Sequence, residues 1–321
     1  METLTRSASK AFEIAYVRFA LPDLAPMEAF LGRFGMTPFY SETPDGRRVL
    51  YAKGYGGSPF IYEAVEGEKA FIGLGFEVHS IQCLEKLATM EGSSPIERVA
   101  GPGAGQRVRF IDPNGYEIDA ICDRQHEEPS CPEERVGFNW ASNRQRLGQP
   151  VRLTPGPSPV RRVGHCVLNV HDFRASERWY KERFGFVTSD EIFLEDEQRT
   201  LGAFLRFDKG AEPADHHSIF LVGSGTTGLN HIAFEVEDWD RLMLGHSHLE
   251  EHGYEKHWGI GKHLLGSQVF DYWKDPYGFV LEHYTDGDVF DASVPPKRES
   301  RETLLGVQWG AKAPHETKAP S

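Results

Sequence analysis

The 321-residue sequence predicts a mixed α+β fold built twice along the chain, and three observations carry that reading. Short alternating runs of the kind that make half-buried strands gather around single amphipathic helical stretches. The order strand, helix, several strands occurs twice. Short strings also recur in the same order in both halves, which makes duplication the first inference about the fold. RFG occupies Arg33–Gly35 and Arg183–Gly185, FEV occupies Phe76–Val78 and Phe234–Val236, and DPNGY from Asp112 answers DPYGF from Asp275. The offsets are 150, 158 and 163 (183 − 33, 234 − 76 and 275 − 112), a drift that loop insertions account for.

Taken in order, residues 11–17 read as a strand and 23–34 as a helix with Met27, Phe30, Leu31 and Phe34 on one side, stopped by Gly35. Strands follow at 48–52, 59–63 and 72–78, then a helix at 81–90 and the strand-rich run RVRFIDPNGYEIDAIC at 107–122. Over 124–160 proline and charge replace periodicity, which marks a linker in which Phe138 and Trp140 are expected to pack on a domain surface. The second half repeats the pattern with a strand at 164–170, a helix at 172–184, strands around 203–207 and 217–222, a strand at 230–236, a helix at 239–252 and a final hairpin within 259–286. The expected organisation is an amino-terminal domain at 11–123, the linker, a carboxyl-terminal domain at 161–288 and a tail at 289–321. The tail offers Val307 and Trp309 for docking, and its end, AKAPHETKAPS, is expected to be disordered.

With 39% hydrophobic and 26% charged residues, the chain can bury about two domain cores and should be globular and soluble. No apolar run approaches the roughly 18 residues of a membrane span, and the first residues lack the apolar core and cleavage site of a secretory signal. A cytoplasmic location is the expectation. A net charge of −13 without a basic stripe argues against a nucleic-acid partner. Cys83, Cys122, Cys131 and Cys166 form no CxxC pair, which favours reduced thiols. Cys166 alternates away from its neighbour His165 and reads as a small buried hydrophobe.

Strand alternation puts His165 with Val167 and Asn169, and His231 with Ala233 and Glu235. The opposite faces (Cys166, Leu168 and Val170; Ile232, Phe234 and Val236) are apolar and should be core, so both imidazoles face a cavity. The closing stretch from Gly259 to Asp286 adds Glu282. One strand histidine among the 14 in the chain would ordinarily be structural. Two imidazoles and a carboxylate on equivalent cavity strands are what an iron(II) or manganese(II) site with three open positions needs. Carried back through the offsets, these positions fall on Ala15, Gly73 and Asp119. The first half is therefore expected to hold no metal and to serve as a structural partner or a wall of the cavity.

With GH at His165, HHS at His216, NH at His231, the nine-residue step from His263 to Tyr272, and Glu282, the chain resembles a known family from about Phe12 to Asp288. The family is the two-domain type I extradiol ring-cleavage dioxygenases, related to catechol 2,3-dioxygenases, in the vicinal oxygen chelate (glyoxalase/bleomycin resistance) superfamily. The resemblance implies two tandem vicinal oxygen chelate domains, each of paired βαβββ modules, with the metal in the carboxyl-terminal one. It implies His165, His231 and Glu282 as ligands of Fe(II), with Mn(II) as the alternative. It further implies His217 as the acid/base residue beside dioxygen, Tyr272 as the phenol that hydrogen-bonds the deprotonated substrate oxygen, and His263 as a donor to that oxygen or a gate on the substrate. His216 is the other choice for the acid/base role, since parity alone does not select a face. A surface histidine pair and a core tyrosine are the plain structural alternatives.

The implied reaction inserts both atoms of dioxygen into a catechol-type or polyhydroxylated ring. The implied partners are that small molecule and dioxygen, in a homo-oligomer with no nucleic acid and no membrane. Some relatives that act on carboxylated catechols carry an arginine five residues before the histidine matched by His263; Trp258 stands there, which favours an uncharged ring. Two rival readings use the same scaffold. A glyoxalase-like metal isomerase or hydrolase would ordinarily add a fourth protein ligand, and a metal-free module would sequester an aromatic ligand.

Overall fold

The computed structural model describes residues 10–130, 137–194 and 198–314. In the first half, β1 (Ala11–Leu21), α1 (Ala25–Phe34), β2 (Thr37–Glu42), β3 (Arg48–Lys53) and β4 (Tyr62–Glu66) form one βαβββ module. A second follows with β5 (Ala70–Val78), α2 (Ile81–Leu87), β6 (Glu97–Arg98), β7 (Gln106–Ile111) and β8 (Glu117–Cys122). Their strands make one sheet in the order β2-β3-β4-β1-β5-β8-β7-β6, joined at its centre by the antiparallel β1–β5 pair.

The second half repeats this plan. Its first module is β9 (Val160–Val170), α3 (Phe173–Phe184), β10 (Val187–Phe193), β11 (Thr200–Arg206), the short β12 (Ala214–Asp215) and β13 (Ile219–Gly223). Its second is β14 (Gly228–Val236), α4 (Trp239–Glu251), β15 (Lys256–His263), β16 (Val269–Lys274) and β17 (Val280–Thr285). The tail adds β18 (Val289–Phe290), β19 (Lys297–Ser300), α5 (Arg301–Leu305) and β20 (Val307–Gly310). The second sheet runs β19-β10-β11-β13-β9-β14-β17-β16-β15-β20, and β18 pairs with β12. The architecture is thus α+β, with two tandem units of paired βαβββ modules.

The helices form where sequence chemistry starts and stops them. α1 has a proline in its first turn, and Gly35 closes it at φ 103°, in the left-handed region that a side chain disfavours. α3 is capped by the Asp172 carboxylate, which accepts from the Ala175 amide at 3.0 Å, and is closed by Gly185 at φ 71°. Both helices bury their apolar faces between the two sheets. Phe34 of α1 stacks on His283 of β17 at 3.7 Å and meets Phe234 of β14, while Phe184 of α3 meets Phe76 of β5 at 4.8 Å. One continuous core results, with Cys166, Leu168, Val170, Ile232, Phe234 and Val236 in it, as strand alternation predicts. Each sheet keeps a smaller apolar cluster on its other face. In the second sheet this comprises Val167, Ile192, Leu201, Phe204 and Phe220.

The structure departs from the sequence reading where pairing partners are remote. β2, β10 and β15 carry polar or glycine-rich sequences (TPFYSE, VTSDEIF and KHWGIGKH) that lack a clean strand pattern, and they are ordered by pairing with β3, β11 and β16. β4 begins three residues later than expected, and α2 stops at Leu87. His263 is the last residue of β15. Arg124, placed by composition in the linker, is buried and pairs with Glu77 at 2.9 Å. Trp140 is 60% exposed and meets Phe138 at 5.7 Å. Cys83, Cys122 and Cys166 are buried free thiols; Cys131 and residues 315–321 lie outside the described residues. Among the described residues, no helix is long and apolar enough to cross a membrane.

Candidate metal centre

The register of three adjacent strands builds the site. Ala233 of β14 stands opposite His165 of β9 on one side and Glu282 of β17 on the other, and His231 lies two residues before it. Because residues two apart share a face, the three side chains converge. Glu282 Oε2 lies 3.2 Å from His165 Nε2 and 3.4 Å from His231 Nε2. One ligand atom from each of the three residues falls within 4.8 Å of the others.

Glu282 is fully buried, and its second oxygen, Oε1, has no hydrogen-bond partner among the described residues. A buried carboxylate oxygen left without a partner is costly. A divalent cation would satisfy it, and the two-imidazole, one-carboxylate donor set suits iron(II) or manganese(II). Asn230 Oδ1 lies 2.8 Å from His231 Nδ1, so that nitrogen donates and Nε2 is left bare as a ligand. Gln268 Nε2 lies 3.5 Å from His165 Nδ1.

His165, His231, Asn230 and Gln268 line a cavity of about 480 Å³ that His217, His263 and Tyr272 also line, with Glu282 buried beside it. The His217 ring lies 4.2 Å from that of His165, and His263 Nε2 lies 2.9 Å from the Tyr272 hydroxyl. Tyr272 stands opposite Glu282 in the β16–β17 pair. Burial holds the Tyr272 phenol well above its ordinary range, and the nearby Glu282 adds to this. Burial pushes the His263 imidazole down to about 3, helped by His165. It also holds His217 and His231 well below their ordinary range, with the neighbouring imidazoles adding to the effect. At neutral pH, His217, His231 and His263 are therefore neutral imidazoles and Tyr272 a protonated phenol, the forms that bind a metal or exchange a proton.

His217 faces the cavity, whereas His216 lies behind it, with Nε2 at 2.7 Å from Asp190. Parity could not separate this pair. The sequence reading missed Asn230, Gln268 and His257 in the lining, together with Arg301, Leu304 and Leu305 of α5. Gln268 shares its alternation with Tyr272, so that signal was available. The α5 residues gave none, because a tail helix reaches the cavity only through long-range packing. Trp258 lines the cavity as well, and Arg301 brings the one guanidinium among the described lining residues.

In the first half, Gly75 stands opposite both Tyr16 and Asp119, as Ala233 stands opposite both His165 and Glu282. Tyr16, not Ala15, is therefore the counterpart of His165, at an offset of 149 (165 − 16). The one-residue difference arises because the second half carries an extra residue between its first strand and the end of its helix. The Tyr16 hydroxyl donates to Asp119 at 2.9 Å, and Arg109 Nε donates to the same carboxylate at 2.8 Å. Burial alone would raise the Asp119 carboxyl, but Arg18, Arg109 and Arg107 hold it below its ordinary range. The space equivalent to the metal site is thus occupied by a tyrosine–aspartate–arginine network.

Comparison with known proteins agrees with this picture. The model of the Glyoxalase/Bleomycin resistance protein/Dioxygenase superfamily matches residues 162–283. Metapyrocatechase 2 of Cupriavidus necator is 29% identical over 304 residues, covering 94% of this chain and 89% of that protein. An iron-dependent extradiol dioxygenase of Rhodococcus jostii (strain RHA1) is 29% identical over 233 residues, 70% of this chain and 69% of its own. Among solved structures, the Mn(II)-bound glyoxalase from Novosphingobium aromaticivorans superposes with a TM-score of 0.76 at 22% identity, covering 98% of this chain and 96% of that one, a likeness of fold. In its paired βαβββ architecture and over residues 162–283, the chain is similar to the Glyoxalase/Bleomycin resistance protein/Dioxygenase superfamily.

Proposed function

We propose that this chain is an extradiol ring-cleaving dioxygenase, which adds both atoms of dioxygen to a catechol-type ring and opens it beside the hydroxylated carbons. The observation that carries the reading is one cavity lined by His165, His231, His217, His263 and Tyr272, with the partnerless oxygen of Glu282 buried beside the two ligand imidazoles. Relatives named as metapyrocatechase and iron-dependent extradiol dioxygenase support it. His165, His231 and Glu282 would hold iron(II), or manganese(II), and the metal when bound supplies adjacent exchangeable positions for the diol and dioxygen.

The remaining chemistry falls to the chain. His217, neutral by burial, accepts a proton from the diol. Tyr272, kept protonated, donates to the diol oxygen while the His263 contact fixes its hydroxyl. Phe204, Phe220, Leu201 and Leu304 exclude water and pack on the ring. The reading carries a small-molecule partner set of diol and dioxygen without nucleic acid or membrane, a homo-oligomer, and a cytoplasmic location. Its domain assignment is a structural unit at 11–123 and a catalytic unit at 161–288 joined by 124–160, with a tail at 289–321.

Anaerobic reconstitution with iron(II), followed by oxygen uptake and near-ultraviolet product absorbance across a panel of catechols, tests the proposal. Uptake with a coloured ring-opened product, lost in His217→Ala and Glu282→Ala, is expected. Metal binding without uptake for any diol would overturn it in favour of a glyoxalase-like isomerase, and the absence of metal binding would point to a binding module.

A further inference from the structure

Behind His217 lies a buried chain of polar groups that the site chemistry above leaves unused. Asp190 sits on β10, and its Oδ2 lies 2.7 Å from His216 Nε2. His216 Nδ1 lies 3.0 Å from His217 Nδ1, and His217 then faces the cavity. Asp190, His216 and His217 are 5%, 1% and 3% exposed, so water does not compete for these bonds. The surroundings hold the chain in place. Ser189 donates to the His216 carbonyl at 2.5 Å, Arg206 donates to Ser189 at 2.9 Å, the His216 backbone amide donates to the Asp288 backbone carbonyl at 2.9 Å, and Phe290 of β18 meets the His216 ring edge-on at 5.2 Å.

We propose that Asp190 and His216 are positioning residues that set the tautomer of His217. The proposal rests on the dioxygenase reading only for what it does to turnover. An ionised carboxylate can only accept, so His216 Nε2 must carry a proton toward Asp190. In neutral His216 this leaves Nδ1 bare, and Nδ1 accepts from His217 Nδ1–H. His217 therefore presents a bare Nε2 to the cavity, which is the form that can take a proton.

Asp190→Asn is the informative variant, because the amide nitrogen can donate to His216 Nε2 and reverse the proton order down to His217, as an orienting aspartate replaced by asparagine does in the serine-protease triad. Ring-nitrogen NMR of the metal-free, histidine-labelled protein reads the tautomer without turnover, with the His217 signals assigned through His217→Ala. The expected wild-type state is a proton on Nδ1, moving to Nε2 in Asp190→Asn. The iron(II) enzyme should then lose about a hundredfold in kcat with KM within threefold, and Asp190→Glu should recover most of it at wild-type metal content. An unchanged His217 tautomer in Asp190→Asn, or kcat within threefold of wild type, would overturn the proposal. Should no diol be consumed by the wild type, the dioxygenase reading fails, while the tautomer experiment still decides the proton order.

Discussion

His231 shows how a single contact commits a side chain to one chemistry. Its Nδ1 is engaged by Asn230 at 2.8 Å, which leaves Nε2 free toward Glu282. Asn230→Ala should weaken metal affinity about 10–100-fold while leaving the fold intact, as competition against a chelator would measure. Tyr272 makes the complementary case. Its hydroxyl is held by His263 at 2.9 Å, and on the proposed role Tyr272→Phe would remove one hydrogen bond to a developing anion, on the order of 1.5–3 kcal/mol. The expected result in oxygen-uptake assays is a fall in kcat of about 10–100-fold with little change in KM. At this scale, alternation was enough to set His165 apart from Cys166 and to place both imidazoles opposite the core. It was not enough to choose between His216 and His217, because the two point to opposite sides and only the packing around β9 and β13 says which side is the cavity.

Among the elements, α1 ties the two halves together. Phe34 is fully buried, stacks on His283 at 3.7 Å, and its carbonyl accepts from His283 Nε2 at 2.7 Å, one residue from Glu282. Phe34→Ala should cost about 3–5 kcal/mol, seen as a lower midpoint in urea unfolding. The helices and their glycine stops were legible because caps and 3.6-residue periodicity are local. The strands at 37–42, 187–193 and 256–263 were not, since their order comes from partners that local sequence does not name. The tail is the extreme case. α5 places Leu304 against the apolar cluster of Phe204 and Phe220, and β20 extends the sheet beside β15. Leu304→Asp should raise KM for an uncharged catechol about tenfold, given about 1.5–3 kcal/mol for burying a leucine, without altering metal content.

At the scale of the whole molecule, the two halves share one core, and their repeated DPxG turns carry buried carboxyls. Burial raises the Asp275 carboxyl from its ordinary 3.8 to about 6, while backbone amides of Phe279 and Tyr277 pull the other way. Asp275 Oδ2 has no partner among the described residues. A folded-state pKa above the unfolded one means that the folded chain binds more protons between those values. The penalty is absent below about pH 4, grows as pH rises through about 6, and is then on the order of 3 kcal/mol. Asp275→Asn keeps an acceptor for the turn amides and removes that penalty. Its thermal midpoint should exceed that of the wild type at pH 7.5 and converge with it near pH 4.

By itself, the sequence determined the duplication, the α+β class, the apolar faces of the central strands, and two histidines and a glutamate as a candidate ligand set. Each of these follows from spacing along the chain, whether the 3.6-residue period, the two-residue period or the drifting offsets of a repeat. Tertiary structure alone decided that Ala233 stands between His165 and Glu282, that Tyr16 takes the histidine position in the first half, that Asp190 backs His216, and that α5 closes the cavity. These depend on strand register and on contacts between residues far apart in sequence, where a one-residue slip exchanges the two faces of a strand and no local pattern records the partner.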